Sequence, residues 1–253
     1  MPLALKQRFA CYAEPWEALR FAAWYLLESL TKGFHGARDR SFATWYTNLG
    51  PHFAQYEQHN TPVPRLVGLA KGIIVELGPG TGSQLPRFNL ETVQRIYGVE
   101  PNAGMFASLL ERIDQSPGLE DVYVPIHAVM EDEALLAANG ILQGTIDTVV
   151  CMQVLCSVSD PARAVERIHS LLKPGGQLLF WEHEASSDTW TRLVQHIWNV
   201  VWTPLVGGCT LGRDIEAAIF GSGRWSVIEL VHDTSGPYSL MPRVWGRLIK
   251  IAD

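Results

Sequence analysis

The residues with the clearest chemical potential lie between positions 76 and 102. In Glu76-Leu-Gly-Pro-Gly-Thr-Gly82 three alternating glycines, Gly78, Gly80 and Gly82, follow a short apolar run, 73–75, that reads as a buried strand. Glycine adopts backbone angles forbidden to other residues and lets a ligand approach the main chain closely. Ser83 stands where a dinucleotide fingerprint requires its third glycine, and no Lys-Ser/Thr pair follows, so neither that motif nor a phosphate-binding P-loop is present. Glu100, in Tyr97-Gly-Val-Glu-Pro-Asn102, ends the next strand, where a carboxylate accepts both hydroxyl protons of a ribose and repels a 2′-phosphate. Glu76 aims a second acid at the same crevice, which would favour a cationic group such as a sulfonium or an ammonium. Taken separately, each acid is equally readable as a solvated strand end. Together with the turn, they specify an unphosphorylated nucleoside carrying positive charge.

A proton acceptor is the other requirement of nucleophilic chemistry. Of the eight histidines, His183 is the best placed, directly after the strand 177–182 at the carboxyl edge where open α/β sheets bind ligands. A hydrogen bond to a backbone carbonyl is its structural alternative. His196 falls off the apolar stripe Trp190, Val194, Ile197, Val201, Leu205 of the next helix, and that stripe, with Trp198 and Trp202, is expected to be core or to roof an apolar substrate. No metal site is expected. Cys209, in Gly207-Gly-Cys-Thr, would have to converge with Cys151 and Cys156, which alternate poorly along one strand and its exit.

These residues need a scaffold, and the chain supplies a regular one. Strands are expected at 73–77, 95–100, 122–127, 146–153, 177–182, 225–232 and 244–251. Helices are expected at 84–90 (weakly patterned), 103–114, 131–138, 161–172, 187–205 and 214–220. Asp147 reads as a strand start and Asp160 as the cap before Pro161. Such alternation demands a doubly wound parallel α/β sheet covered on both faces, closed by an antiparallel C-terminal hairpin as its sixth and seventh strands. Residues 1–64 form a helical cover and 65–253 the ligand-binding domain. In the cover, 15–31 has Trp16, Leu19, Ala23, Leu26, Leu27 and Leu30 at helical spacing, and 40–56 carries Phe42, Trp45, Tyr46, Leu49 and Phe53.

With 253 residues, 47% of them hydrophobic, the chain can bury a large core, and a net charge of −6 with no local basic patch argues against a nucleic-acid partner. Four scattered cysteines suit reduced thiols and a cytoplasmic setting, and charges interrupt every N-terminal apolar run, so no signal peptide is read. The helix at 15–31 is too short to span a bilayer; it either packs on the domain or lies on a membrane surface as a peripheral contact.

At this point the chain resembles the class I S-adenosylmethionine-dependent methyltransferases, from residue 70 onward: Glu76-x-Gly-x-Gly-x-Gly82, Glu100, and Leu172-Lys-Pro-Gly-Gly-Gln-Leu-Leu-Phe180 before the fifth strand. More narrowly, Val149 to Val158, Lys173 to Glu184 and Trp202 to Arg213 resemble the methyltransferase-like seven group of membrane-associated alkyl thiol methyltransferases and their fungal and bacterial relatives. Animal members begin with a strongly hydrophobic anchor, where this chain has a charged amphipathic helix. The resemblance implies S-adenosyl-L-methionine as cofactor. Gly78, Gly80 and Gly82 would pack on its methionine part, Glu76 near the ammonium and Glu100 on the ribose. Asn102 and Met105 would lie beside the adenine, Val129 and Met130 would form its other wall, and Gln153 and Val154 would sit near the methyl donor. The expected reaction is methyl transfer to a thiol or hydroxyl of a hydrophobic small molecule, such as a secondary metabolite. A different outcome on the same fold is a non-methylating cyclisation or rearrangement with the cofactor bound.

Overall fold

The structure is a computed structural model that describes residues 3–13, 15–233, 236 and 238–252. Seven strands form one sheet in the order β3-β2-β1-β4-β5-β7-β6: β1 (Gly72–Leu77), β2 (Val93–Val99), β3 (Tyr123–Ile126), β4 (Ile146–Met152), β5 (Leu172–His183), β6 (Trp225–His232) and β7 (Arg243–Lys250). The first five pair in parallel, and β7 enters antiparallel between β5 and β6. Buried strand residues alternate between the two faces. Ile74, Val150 and Leu179 join one apolar cluster with Leu66 and Leu109, whereas Val75, Val149 and Phe180 join the other with Val165 and Ile219.

Among the described residues four helices precede the sheet: α1 (Leu3–Tyr12), α2 (Pro15–Thr31), α3 (Ala37–Asn60) and α4 (Val63–Gly68). The sheet-covering helices are α5 (Ala103–Asp114), α6 (Glu133–Ala138), α7 (Pro161–Leu171), α8 (Thr189–Leu205) and α9 (Ile215–Gly221). Local capping explains several starts. Asp160 accepts from the N–H groups of Ala162 and Arg163 ahead of α7, with Pro161 following it, and Asn102, Asp132, Asp188 and Asp214 open α5, α6, α8 and α9 in the same way.

Several expectations need correction. The helix at 84–90 is only a 3₁₀ turn, Leu85–Arg87, because Pro86 removes a donor in a stretch too short to nucleate more. Helix α1 carries no clear sequence period, and α3 runs on through Pro51. The expected apolar stripe of α8 faces outward: Trp190, Ile197 and Val201 are exposed and His196 with them, while Thr191, Gln195 and Trp202 are buried. The polar inner face is stable because its groups are satisfied. Gln195 accepts from Ser186 N–H (3.0 Å) and donates to the carbonyls of Glu184 (3.2 Å) and Leu240 (3.0 Å). In α2, likewise, Trp16 and Leu27 point out, and Leu19, Ala22 and Ser29 pack inward.

A third apolar cluster sits above the carboxyl ends of the strands, where Leu19 and Ala22 of α2, Trp45 of α3 and Trp202 of α8 meet Cys156, Cys209 and Leu211. Phe42, Tyr46, Leu49 and Phe53 pack against it. The aromatic positions of α3 therefore lie over the sheet edge that carries the chemistry.

Candidate active site

The turn after β1 is shaped as its sequence requires. Gly78 has φ 58°, and a Cβ there would stand 2.7 Å from Val154 Cγ2; Gly82 has φ 81°, with a Cβ 2.8 Å from Leu85. Between them, Gly80 donates its N–H to Glu100 Oε2 (2.9 Å), and Asn102 N–H donates to Glu100 Oε1 (2.8 Å). Glu100 is thus held against the turn with lone pairs to spare, and burial raises its pKa against these two N–H bonds. Glu76 is 2% exposed. Its Oε2 accepts the Tyr123 hydroxyl (2.6 Å), while Oε1 has no partner. Burial pushes its pKa up to about 7, opposed by the Tyr123 bond and reinforced by the Glu100 charge. Thr81 Oγ1 is also buried and without a partner.

A glycine cradle, an orphaned carboxylate oxygen and a second acid on the next strand are what the amino-acid and ribose parts of S-adenosyl-L-methionine would satisfy, so the residues fit that cofactor. Met105 is buried, its sulfur 3.8 Å from where a Gly80 Cβ would lie. Asn102 stands at the start of α5. Its side chain caps α5, accepting from Gly104 and Met105 N–H, and donates to the Asp39 carbonyl of α3 (3.0 Å). Val129 is exposed beyond β3, whereas Met130 is buried in the core cluster with Leu136, so of the two Val129 is the one free to face a ligand.

Beyond β4 the chain turns sharply at Gln153, whose φ of 61° is the one left-handed value of a non-glycine among the described residues. The turn is held by Glu182, which no local pattern singles out. It is fully buried at the end of β5 and accepts N–H groups of Val154 (2.8 Å), Leu155 (2.9 Å) and Cys156 (3.2 Å), together with the Cys151 thiol (3.4 Å). Burial brings its pKa to about 7 against those bonds. Only an unsatisfied loop backbone close to β5 would have disclosed the role, and that is a tertiary property. Tyr46, one of the aromatic positions noted at 40–56, covers the turn, its ring 3.3 Å from a Gly80 Cβ position.

His183 follows Glu182, 7% exposed. Its Nδ1 is 3.5 Å from Cys209 Sγ and its Nε2 is 3.5 Å from the Gln153 amide nitrogen. Burial, then the nearby Arg243 charge, lowers its pKa, so the ring is neutral at pH 7. Cys156 joins the group: the three cysteines do not converge as a trio, but two of them meet beside His183. It is Cys151 that lies apart, on Glu182, while Cys156 and Cys209 meet because the chain leaving β4 pairs with the turn after α8, Thr210 N–H donating to the Cys156 carbonyl (2.8 Å). Cys209 is held well below the usual thiol range, first by its hydrogen bond with Cys156 and then by His183, against burial. The proton of the pair stays on Cys156. With Nδ1–H donating to Cys209 Sγ, the Nε2 lone pair faces Gln153.

A family model described as a methyltransferase domain matches residues 52–204, more than half of the chain. The chain belongs to the methyltransferase domain family. Among curated relatives, human thiol S-methyltransferase TMT1B is 32% identical over 155 residues, 59% of this chain and 60% of the relative. Human thiol S-methyltransferase TMT1A is 28% identical over 184 residues, 70% of each. The chain thus spans about three fifths of the first relative's length. Among solved structures, geranyl diphosphate methyltransferase in complex with GPP and sinefungin superposes with a TM-score of 0.58 at 14% identity, covering 81% of this chain and 80% of that one. The cyclase SpnF gives 0.55 at 17%, covering 76% and 79%. These two likenesses show that the methyltransferase fold is shared. The unmatched 1–51 region of this family member carries α1, α2 and the aromatic start of α3.

Proposed function

We propose that this methyltransferase-family chain transfers a methyl group from S-adenosyl-L-methionine to the thiol of a hydrophobic small molecule, a hydroxyl being the second acceptor class. The observation that carries the reading is the buried, neutral His183, its Nε2 turned to Gln153 and its surroundings the apolar cluster of Trp45 and Trp202. The bound cofactor supplies an electrophilic methyl group on a sulfonium. Glu76 would hold the ammonium, Glu100 the ribose hydroxyls, and the glycine cradle the methionine backbone. His183 Nε2 accepts the acceptor's proton as sulfur advances, Cys209 keeps the ring in the required tautomer, and the aromatic cover excludes water.

The test uses methyl-labelled cofactor with an alkyl thiol and the matching alcohol. Label is expected in the thioether, and His183→Asn should lower kcat by about 10²–10⁴ while leaving cofactor affinity unchanged. An unlabelled product isomeric with its substrate would instead establish the cyclisation or rearrangement reading.

We also propose that this end of the molecule rests on a membrane surface. No described helix is long and apolar enough to cross a bilayer. Support comes from exposed large apolar side chains on two helices that pack on each other, Trp24 (67% exposed) and Phe21 on α2 and Ile197 (62%) and Val200 (77%) on α8. Co-sedimentation with phosphatidylcholine vesicles should fall sharply in a Trp24→Glu, Ile197→Glu double variant. Equal recovery of both proteins would remove the proposal.

A further inference from the structure

Cys156, His183 and Cys209 come from three separate segments, and their ligand-type atoms all lie within 4.8 Å of one another. Both cysteines are free and all three residues are buried. A tetrahedral zinc ion, with Zn–S of about 2.3 Å and Zn–N of about 2.0–2.1 Å, sets its sulfur and nitrogen ligands about 3.5 Å apart. The Cys209 Sγ to His183 Nδ1 separation is 3.5 Å. The pair can therefore accept an ion with side-chain adjustment alone.

The surroundings fit as well. The three ligands are held by backbone bonds: Cys156 N–H to Glu182 (3.2 Å), Cys209 N–H to the Val206 carbonyl (2.8 Å), and His183 by its place in β5 paired with β7. Gln153 lies at the far ring nitrogen, in its left-handed conformation. Turning its amide over would let the side-chain carbonyl accept Nε2–H, the outer bond that metal-bound histidines make. Arg243 stands nearby and opposes a cation, but two ionised cysteines outweigh one guanidinium. Cys151 is engaged with Glu182, and no fourth His, Cys, Asp or Glu joins the group among the described residues.

We propose that Cys156, His183 and Cys209 form a three-ligand site for a thiophilic divalent ion, Zn²⁺, with its fourth position open to water or a small thiol. Ion binding displaces the Cys156 thiol proton to solvent and, with the ion on Nδ1, moves the imidazole proton to Nε2, so the loaded enzyme has no base. Zinc is therefore an inhibitor of methyl transfer, a consequence that rests on the proposed role of His183.

Cobalt titration of the reduced full chain reads the site directly. One equivalent of Co²⁺ should give thiolate-to-cobalt charge-transfer absorption with intense tetrahedral d–d bands, both abolished by Zn²⁺. Cys156→Ser and Cys209→Ser should each halve the charge-transfer intensity and weaken binding at least 100-fold, with Cys11→Ser unchanged. Absence of the bands at excess Co²⁺, or an unaltered spectrum in Cys209→Ser, would overturn the site. Activity read in parallel separates the two proposals. Loss of turnover on zinc loading, restored by a chelator, supports inhibition, whereas cobalt bands with undiminished turnover would overturn inhibition and the base role together. A chain with no activity in any state but a normal cobalt spectrum would refute the methyl-transfer reading and leave the ion site in place.

Discussion

Cofactor affinity should depend on pH through Glu76. In the free protein this carboxyl titrates near 7 because it is buried with one oxygen unpartnered. An ammonium placed at Oε1 stabilises the ionised form and drives the bound-state pKa well below that value. Binding then releases a proton whenever the free group is protonated. The apparent dissociation constant scales as 1 + 10^(7 − pH), a factor of about 1.1 at pH 8, about 2 at pH 7 and about 11 at pH 6. Affinity is thus expected to weaken about tenfold from pH 8 to pH 6. The demethylated cofactor is the suitable ligand, since it keeps the ammonium and lacks the sulfonium. Isothermal titration in buffers of different ionisation enthalpy should count about 0.9 protons released at pH 6 and about 0.1 at pH 8. Glu76→Gln should weaken binding about 10- to 100-fold at pH 8, the worth of a charge-assisted hydrogen bond, and flatten the profile. A dissociation constant that stays level from pH 6 to 8, or a slope that survives in Glu76→Gln, would refute the placement of the ammonium.

The same substitution has an opposite effect on stability. Folding raises the Glu76 pKa from 4.5 to about 7, so the folded state holds the proton more tightly and its stability falls as pH rises through that interval, by at most about 3 kcal/mol. Ligand-free Glu76→Gln should therefore melt above the parent at pH 8 and level with it near pH 5, measured by calorimetry. Gly78→Ala should abolish cofactor binding while the sheet still forms, because its Cβ meets Val154 at 2.7 Å at a φ of 58°; calorimetric binding with circular dichroism checks both halves. Glu182→Ala strands three N–H groups, those of Leu155 and Cys156 buried and that of Val154 half-buried, and should cost about 3 kcal/mol or more in denaturant unfolding, with retained stability counting against the role given to that carboxylate.

Most of the sheet was legible because its signals are local: apolar runs of strand length, Asp160 before Pro161, and alternating glycines after 73–77 each act within a few residues. The donor side was legible for the same reason, as Glu76, the glycines and Glu100 sit on adjacent parallel strands. Which helix face turns inward was not. In α8 a satisfied polar face outcompetes an apolar one, and Gln195 wins its place through bonds to Glu184, Ser186 and Leu240, the last 45 residues away. The meeting of Cys156 with Cys209 joins two loops whose approach no spacing rule describes, and Glu182 acts on a loop that precedes it by 26 to 28 residues.

The position of β7 bears on how the molecule is made. It is the last of the described strands, yet it lies between β5 and β6, pairing residue for residue with the end of β5, His183 opposite Arg243 and Glu182 opposite Val244. During synthesis the glycine turn, Glu76 and Glu100 can assemble as soon as β1 and β2 leave the ribosome, whereas the strand carrying His183 keeps a bare edge until β7 emerges. That edge is apolar and capable of pairing with another chain. A nascent or truncated product lacking β7 would hold a formed donor crevice beside an unfinished acceptor side, and its characteristic failure would be aggregation through β5.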